Sequence, residues 1–262
     1  MNADWRTRYE LAVDAARQGG EFAKRIYDQT FQSRDMEVIR KQDNSPVTIA
    51  DRGAEELIRE MVSKHFPNDG FLGEEFGDQP GSTGYRWIID PIDGTKSFIR
   101  HVPIWATLIG LEFEGEQIAG AVYLPVFRQM YRALRGDGAY LDNVRIRTST
   151  VTKLSDAILC YSSIQWFTRY GRQDEFLRLY QATGRQRGYG DFYGFALVAQ
   201  GSCDLMIEHG VNPWDVSATC AIIEEAGGRF TDWDGQPGIL RPDVLASNGH
   251  LHEIAREFLR TS

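Results

Sequence analysis

The chain has 262 residues, of which 42% are hydrophobic and 25% are charged, and its 29 basic and 37 acidic side chains leave a formal charge of −8. This composition is typical of a globular protein and excludes disordered, collagen-like and small disulfide-stabilised chains. It also argues against a nucleic-acid backbone as a partner, because affinity for that backbone depends on lysine and arginine.

The sequence shows no signature of a membrane or secreted protein. No segment reaches the roughly 18–20 uninterrupted apolar residues of a membrane span, and the N-terminus lacks the basic-then-apolar pattern of a signal peptide. The cysteines Cys160, Cys203 and Cys220 have spacings that fit neither a disulfide framework nor a zinc site. We therefore expect three reduced thiols in a cytoplasmic protein.

The first half of the chain mixes helices and strands. Amphipathic spacing predicts a helix over the first thirty residues. A second helix is predicted to begin at Asp51 and to end before Pro67, since proline stops a helix. Short apolar runs predict strands at residues 71–72, 87–89, 106–111, 118–124 and 130–134, with a turn at 136–138.

The second half alternates strands and helices. Strands are predicted at residues 157–161 and 205–207, and helices at 174–183, 192–200 and 217–226, the last ended by two glycines. An α+β half (residues 1–150) is thus expected to meet an α/β half (residues 151–262). No flexible linker separates them, so we expect one compact two-part unit.

The segment from Asp90 to Thr95 (DPIDGT) directly follows an apolar strand. The strand end fixes Asp90, and Asp93 can turn back toward the same point. Gly94 permits close approach of a ligand, and a helix starting at Thr95 would seat a phosphate. Two carboxylates without a basic neighbour repel each other, which a hard divalent cation such as Mg²⁺ resolves. The alternative is a turn with helix capping, which Asp and Gly also favour.

Two further acidic groups stand in similar settings. Glu74 follows a short apolar strand, and Asp215 lies at the start of a predicted helix, as an N-cap or a metal ligand. The convergence of the DPIDGT segment, Glu74 and Asp215 would make helix capping alone an insufficient explanation of these acidic residues. Several carboxylates on two or three divalent ions would leave the site electropositive toward a phosphate and could support in-line displacement by an activated water.

Together, residues 73–75 (GEE), 87–95 (WIIDPIDGT) and 214–218 (WDVSA) resemble the three signature motifs of the inositol monophosphatase family. The order and spacing match, and the resemblance covers nearly the whole chain. It implies an α+β fold, a layered αβαβα sandwich of the inositol monophosphatase/fructose-bisphosphatase type. It also implies Mg²⁺-dependent hydrolysis of phosphomonoesters and, in most members, a homodimer.

The resemblance also implies the metal ligands. Glu74, Asp90 and the carbonyl of Ile92 would hold one Mg²⁺. Asp90, Asp93 and Asp215 would hold a second, and Glu74 would contact a weaker third.

The resemblance further implies how the substrate phosphate and the attacking water are held. Thr95 and Glu74 would orient the water, with Asp51 as the partner of Thr95. The backbone of Gly94 and Thr95 would bind the phosphate. Lys41, in an early loop, would contact the phosphate or gate the metal site, a match that depends on loop length.

Two acidic residues bear on the substrate. Glu208 precedes Asp215 by seven residues, where the family places a substrate-contacting acid, and the alternative is a solvated strand end. Asp191 stands where inositol-specific members tend to carry small neutral residues. A second acid suits a substrate with a cationic tail, because an opposite charge within about 4–6 Å is favoured. Tyr193 and Trp105 could offer aromatic faces to it, or pack in the core.

Residues 101–109 and 189–193 resemble the histidinol-phosphate phosphatase branch of the family. We therefore expect hydrolysis of L-histidinol phosphate, a step of histidine biosynthesis. Inositol phosphates, fructose bisphosphate and 3′-phosphoadenosine nucleotides remain alternative substrates. A catalytically silent phosphate-binding protein is the alternative of another class, and the intact Thr95 and acidic ligands disfavour it.

Overall fold

The computed structural model describes residues 2–33, 39–40 and 46–260. Its helices are α1 (Ala3–Ser33), α2 (Ile49–His65), α3 (Thr95–Ile99), α4 (Ile164–Arg169), α5 (Gln173–Ala182), α6 (Asp191–Ala199), α7 (Pro213–Glu225) and α8 (His252–Leu259). Its strands are β1 (Ile39–Arg40), β2 (Pro46–Val47), β3 (Gly70–Gly73), β4 (Gly77–Gln79), β5 (Tyr85–Asp93), β6 (Ala106–Phe113), β7 (Glu116–Leu124), β8 (Gln129–Leu134), β9 (Gly138–Leu141), β10 (Val144–Ile146), β11 (Ile158–Cys160), β12 (Arg185–Arg187), β13 (Leu205–His209), β14 (Arg229–Thr231) and β15 (Asp243–Ser247).

The two N-terminal helices follow from local sequence signals. The buried face of α1 carries alanines, including Ala12, Ala15 and Ala16, which let the helix lie close to the sheet. The second helix begins earlier than predicted, because Thr48 caps it and Asp51 closes a capping box by accepting from the Thr48 amide. Asp51 therefore lies inside the first turn of α2.

The larger sheet has eight strands in the order β10-β9-β8-β7-β6-β5-β3-β4. All neighbours are antiparallel except β3 and β5, which run parallel. The strands β9 and β10 extend this sheet beyond the predicted turn at 136–138. Neither strand was predicted, because each has only three or four residues.

The smaller sheet has five strands in the order β12-β11-β13-β15-β14. Its first three strands are parallel, and β15 runs antiparallel to both β13 and β14. Side chains alternate across β13, so that Leu205 and Ile207 face one side while Met206 and Glu208 face the other. Glu208 is thereby directed to the side of the middle helices.

Five layers result. α1 and α2 cover one face of the larger sheet, where Ile58 and Val62 pack against Trp87 and Ile89. α6 and α7 fill the space between the sheets, and α5 and α8 cover the outer face of the smaller sheet. The predicted αβαβα sandwich is confirmed. No helix in the described part of the chain is long and apolar enough to cross a membrane.

We propose that the boundary between the two halves lies near residue 150. The larger sheet ends at Ile146 and the smaller one begins at Ile158. The two halves share a core, because α7 of the second half contacts β5, β6 and β7 of the first.

Candidate active site

The carboxylates of Asp90 and Asp93 come from the end of β5. Trp87 and Ile89 face the α1–α2 layer, whereas Ile88 faces the middle layer. The alternation places Asp90 on the side of Ile88. The pairing of β5 with β6 shifts register between Asp90 and Asp93. Both aspartates are buried, with 2% and 8% of their surface exposed.

The turn after Asp93 leads into the short helix α3. Gly94 has a φ of +87°, a left-handed conformation that favours glycine, and an added Cβ would lie 3.1 Å from the carbonyl oxygen of Ile104. Thr95 donates its hydroxyl to the carbonyl of Ile92 at 3.0 Å. The carbonyl predicted as a metal ligand is therefore beside the predicted water-orienting hydroxyl.

Asp51 approaches this turn from α2. Its Oδ2 accepts hydrogen bonds from the amide and hydroxyl of Thr48, at 2.7 and 2.6 Å. Its Oδ1 lies 3.5 Å from the Thr95 hydroxyl, whose single proton is directed to the closer carbonyl of Ile92. Burial is the main cause that raises the pKa of Asp51 to about 7.

Glu74 and Asp215 arrive from two other elements. Glu74 follows β3, and its amide donates to the carbonyl of Ile89 at 3.1 Å, next to Asp90 in β5. Asp215 is not an N-cap, because α7 begins at Pro213 and Asn212 caps it. The Asp215 carboxylate accepts from the Asn212 amide at 2.7 Å in a capping box.

The acidic groups act on one another. Burial, followed by the charges of Glu74 and Asp93, raises the pKa of Asp90 well above its usual range. Burial also raises the pKa of Asp93, with Asp191 and Asp215 adding to the effect. The pKa of Asp215 is raised to about 7, first by burial. The structure thus brings the predicted acidic ligands into mutual electrostatic reach.

The residues present fit a divalent cation by their chemistry. Among the described residues, neither Asp90 nor Asp93 has an ion pair with lysine or arginine, so their charges need another source of compensation. Carboxylate and carbonyl oxygens are the ligands that Mg²⁺ prefers.

The present side-chain positions do not form a ready cage. In the described part of the chain, no group of three or more acidic, histidine or cysteine side chains is arranged to hold a metal ion. Asp90 and Asp93 instead accept from the amides of Ile92 and Phe192, at 3.0 and 2.7 Å. Coordination would require these carboxylates to turn toward a common ion.

Asp191 and Glu208 lie beside this cluster. Glu208 is 5% exposed, so the solvated-strand-end alternative is wrong, and burial raises its pKa to about 8, with a further contribution from the charge of Asp191. Asp191 begins α6 with a φ of +53° and retains exposed surface. Neighbouring protein atoms nevertheless desolvate its carboxylate and raise its pKa, an effect that Lys96 opposes.

The two aromatic candidates have different environments. Tyr193 is half-buried and meets the ring of Tyr189 edge-on, with the centroids 6.0 Å apart. Trp105 is fully buried and packs against Phe98 and Tyr27. The expectation that Trp105 offers a ring face to the substrate is therefore wrong, because its side chain is enclosed in the core.

Two side chains near the site were not foreseen. The Ser162 hydroxyl donates to Glu208 at 2.7 Å, and Lys96 lies near enough to Asp191 to affect its charge. No sequence signal marks Ser162, which follows an unremarkable short strand. Lys96 directly follows Thr95 and could have been noticed there. Lys41 lies outside the described residues.

Comparison with known proteins identifies the family of this chain. The model of the inositol monophosphatase family matches residues 4–261. A histidinol-phosphatase of Mycobacterium tuberculosis is 41% identical over 228 residues, covering 85% of this chain and 88% of the relative. A histidinol-phosphatase of Streptomyces coelicolor is 43% identical over 232 residues, covering 85% and 87%.

A solved structure has the same fold. The extragenic suppressor protein suhB from Bartonella henselae matches with a TM-score of 0.87 and 30% identity, over 97% of this chain and 98% of that one. The matched range includes the signature segments, β3 to α3 and the start of α7. The chain belongs to the inositol monophosphatase family, whose members are phosphatases.

Proposed function

We propose that this phosphatase hydrolyses L-histidinol phosphate to L-histidinol and phosphate. The observation that carries the proposal is the pair Asp191 and Glu208, two acidic side chains close enough to influence each other beside the aspartate cluster. Histidinol phosphate carries an ammonium group and an imidazole. The positive charge of the ammonium would favour the ionised forms of Asp191 and Glu208, and so would lower the pKa values that burial raises in the free protein. The relatives named histidinol-phosphatase support the same substrate.

The proposed metal is Mg²⁺, in two or three positions. Glu74, Asp90, the Ile92 carbonyl, Asp93 and Asp215 would hold it. When bound, Mg²⁺ neutralises the ligand charges, polarises the phosphate and supplies an activated water. The family is metal-dependent, and the buried aspartates fit this requirement.

The remaining steps belong to the chain's own groups. The Thr95 hydroxyl and the Glu74 carboxylate would orient the attacking water, with Asp51 accepting from Thr95. The amides of Gly94 and Thr95 would hold the phosphate, because the left-handed Gly94 leaves the backbone open to close approach. Lys41 would add a positive charge beside the bound phosphate. We propose a homodimer as the assembly.

Inositol monophosphate is the second candidate substrate, since the family takes its name from that activity. It is a neutral polyol on a phosphate, so the charge of a second acid, Asp191, beside the family's acid at Glu208 would bring it no attraction. The charge of Asp191 therefore favours histidinol phosphate over inositol monophosphate as the substrate.

Phosphate release tests the proposal. The purified protein is incubated with histidinol phosphate, inositol 1-phosphate, fructose 1,6-bisphosphate and a 3′-phosphoadenosine nucleotide, in MgCl₂ or in EDTA. We expect Mg²⁺-dependent turnover, fastest on histidinol phosphate. If the protein hydrolyses none of these esters, that result would support a catalytically silent binding protein. If it hydrolyses another ester faster than histidinol phosphate, that ester would be the substrate instead.

A further inference from the structure

Glu55 is a charged side chain in the core that none of the signature motifs contains. It lies in α2, one turn after Asp51, and its surface is 0% exposed. Residues four apart in a helix share a face. A buried carboxylate is costly unless its oxygens are hydrogen-bonded. Its partners therefore indicate what this side chain is for.

The partners of Glu55 belong to the turn that carries Glu74. Oε2 accepts from the amide of Glu75 at 2.8 Å, and Oε1 lies 3.4 Å from the amide of Phe76. The Glu74 amide itself is bound to the carbonyl of Ile89. Glu74 is thus anchored to β5 on one side and followed at once by an anchor to α2.

Arg59 completes this anchor. Its Nε donates to Glu55 at 2.8 Å, and its Nη2 donates to the carbonyl of Gly77 at 2.8 Å. The guanidinium also lies over the ring of Phe71, 5.0 Å from its centroid. The Glu55–Arg59 ion pair of α2 therefore binds the backbone of the turn between β3 and β4 from Glu75 to Gly77.

Gly73 fits the same arrangement. A Cβ added there would overlap the carboxylate of Glu55. The glycine at the start of the GEE motif is therefore required by the space that Glu55 occupies, and its φ is not in the left-handed region.

We infer that Glu55 is a positioning residue, which holds the Glu74 turn so that the Glu74 carboxylate reaches the metal and water position. This rests on the proposed role of Glu74. Asp51 and Glu55 together make α2 the element that supports both Thr95 and Glu74.

Glu55→Gln tests the inference, because it keeps the size of the side chain but places an amide against two backbone N–H donors and Arg59. The matched control is Glu56→Gln, an exposed neighbour on the same helix. Mg²⁺ binding is measured by calorimetry without substrate, and the Mg²⁺ dependence of phosphate release is measured separately. Circular dichroism verifies the fold.

We expect Glu55→Gln to weaken Mg²⁺ binding about tenfold and to raise the Mg²⁺ concentration for half-maximal activity by a similar factor. The kcat at saturating Mg²⁺ should change less than threefold, and Glu56→Gln should match the wild type. If Glu55→Gln does not fold, Arg59→Lys replaces it as the test, because lysine loses the bond to Gly77. We expect Arg59→Lys to weaken Mg²⁺ binding in the same way.

Two failures can be told apart. Folded variants that bind Mg²⁺ as the wild type does would overturn the role of Glu55 alone. A wild-type protein that binds no Mg²⁺ would overturn the proposed metal-dependent function, whatever Glu55 does.

Discussion

At the scale of single residues, we propose that the charge of Asp191 distinguishes a cationic substrate from a neutral one. Asp191→Asn removes the charge and keeps the backbone, since asparagine also tolerates the left-handed φ of +53° found here. We expect KM for histidinol phosphate to rise up to about fivefold, a modest value because the side chain is partly exposed and screened. Steady-state kinetics measures it.

The control for this change is the same variant acting on inositol 1-phosphate, for which KM should stay within a factor of about two. Equal losses on both substrates would mean that Asp191 supports the site generally, for example through α6, whose Phe192 amide binds Asp93.

His252 shows how a buried titratable residue makes stability depend on pH. Its Nδ1 lies 2.9 Å from the Ser247 hydroxyl and its Nε2 2.9 Å from the Thr231 hydroxyl. The Thr231 hydroxyl donates to the carbonyl of Asp232, so it accepts from Nε2, and the ring is neutral. Burial, with Arg229 adding to it, lowers the pKa of His252 to about 4.

The pH dependence has a definite sign. The unfolded chain binds a proton at His252 near pH 6.5, whereas the folded chain does so only near pH 4. Stability from this site is complete above pH 6.5 and is lost as pH falls toward 4, by about 2 kcal/mol at pH 5. Urea unfolding at pH 7.5 and pH 5 should show a smaller loss in His252→Gln than in the wild type.

A matched variant separates this effect from the general titration of the protein. His65 is exposed, so His65→Gln should keep the wild-type pH dependence. An identical pH response in His252→Gln and His65→Gln would contradict the account of His252.

At the scale of elements, the packing of α7 on the larger sheet sets the position of Asp215. Gly110 and Gly120 face this helix, and a Cβ added at Gly120 would overlap the carbonyl of Ala218. We expect Gly120→Ala to cost about 1–3 kcal/mol by overpacking. Mg²⁺ binding should weaken as well, because a displaced α7 moves Asp215.

Thermal unfolding and calorimetric Mg²⁺ titration check this expectation. Gly188→Ala is the control, since nothing lies within 4 Å of the Cβ position there. Normal stability and Mg²⁺ affinity in Gly120→Ala would show that α7 tolerates displacement, and would contradict the expectation that its close packing on β7 positions Asp215.

The sequence predicted most elements because their signals are local. Apolar periodicity marks α1, and an apolar run marks β5. It did not predict where α7 begins, because Asp215 fits both an N-cap and a first-turn position, and only the Asn212 cap separates them. The aromatic residues show the same limit. Burial decides whether Trp105 or Tyr193 can contact a substrate, and burial depends on residues that are distant in the sequence.

The site was predictable where one short motif carries it. Asp90, Asp93 and Thr95 lie within six residues, and their common location follows from the chain path. Glu55 and Ser162 act through hydrogen bonds to residues 20 and 46 positions away, Glu75 and Glu208. These hydrogen-bonded pairs form only when the layers of the fold pack together, so no local sequence pattern predicts them.

At the scale of the whole molecule, the charge of −8 is concentrated in part at one buried site. A divalent ion bound there stabilises the folded state only, by about 2.7 kcal/mol at a concentration one hundred times its Kd. We expect MgCl₂ to raise Tm by about 5–10 °C for a chain of this length. EDTA should reverse the increase, as thermal unfolding can show.

General screening of surface charge must be separated from specific binding. NaCl at the ionic strength of the MgCl₂ sample screens the same charges but cannot replace a divalent ligand. An equal increase of Tm in NaCl would contradict a specific Mg²⁺ site.

We propose that acidic groups beside the phosphate pocket recognise the ammonium of the substrate. The most direct test of this proposal compares kcat/KM of the wild-type protein for histidinol phosphate and for the same phosphate ester without the amino group. We expect a kcat/KM at least about tenfold higher for histidinol phosphate, which corresponds to about 1.4 kcal/mol of transition-state stabilisation. Equal values for the two esters would contradict it.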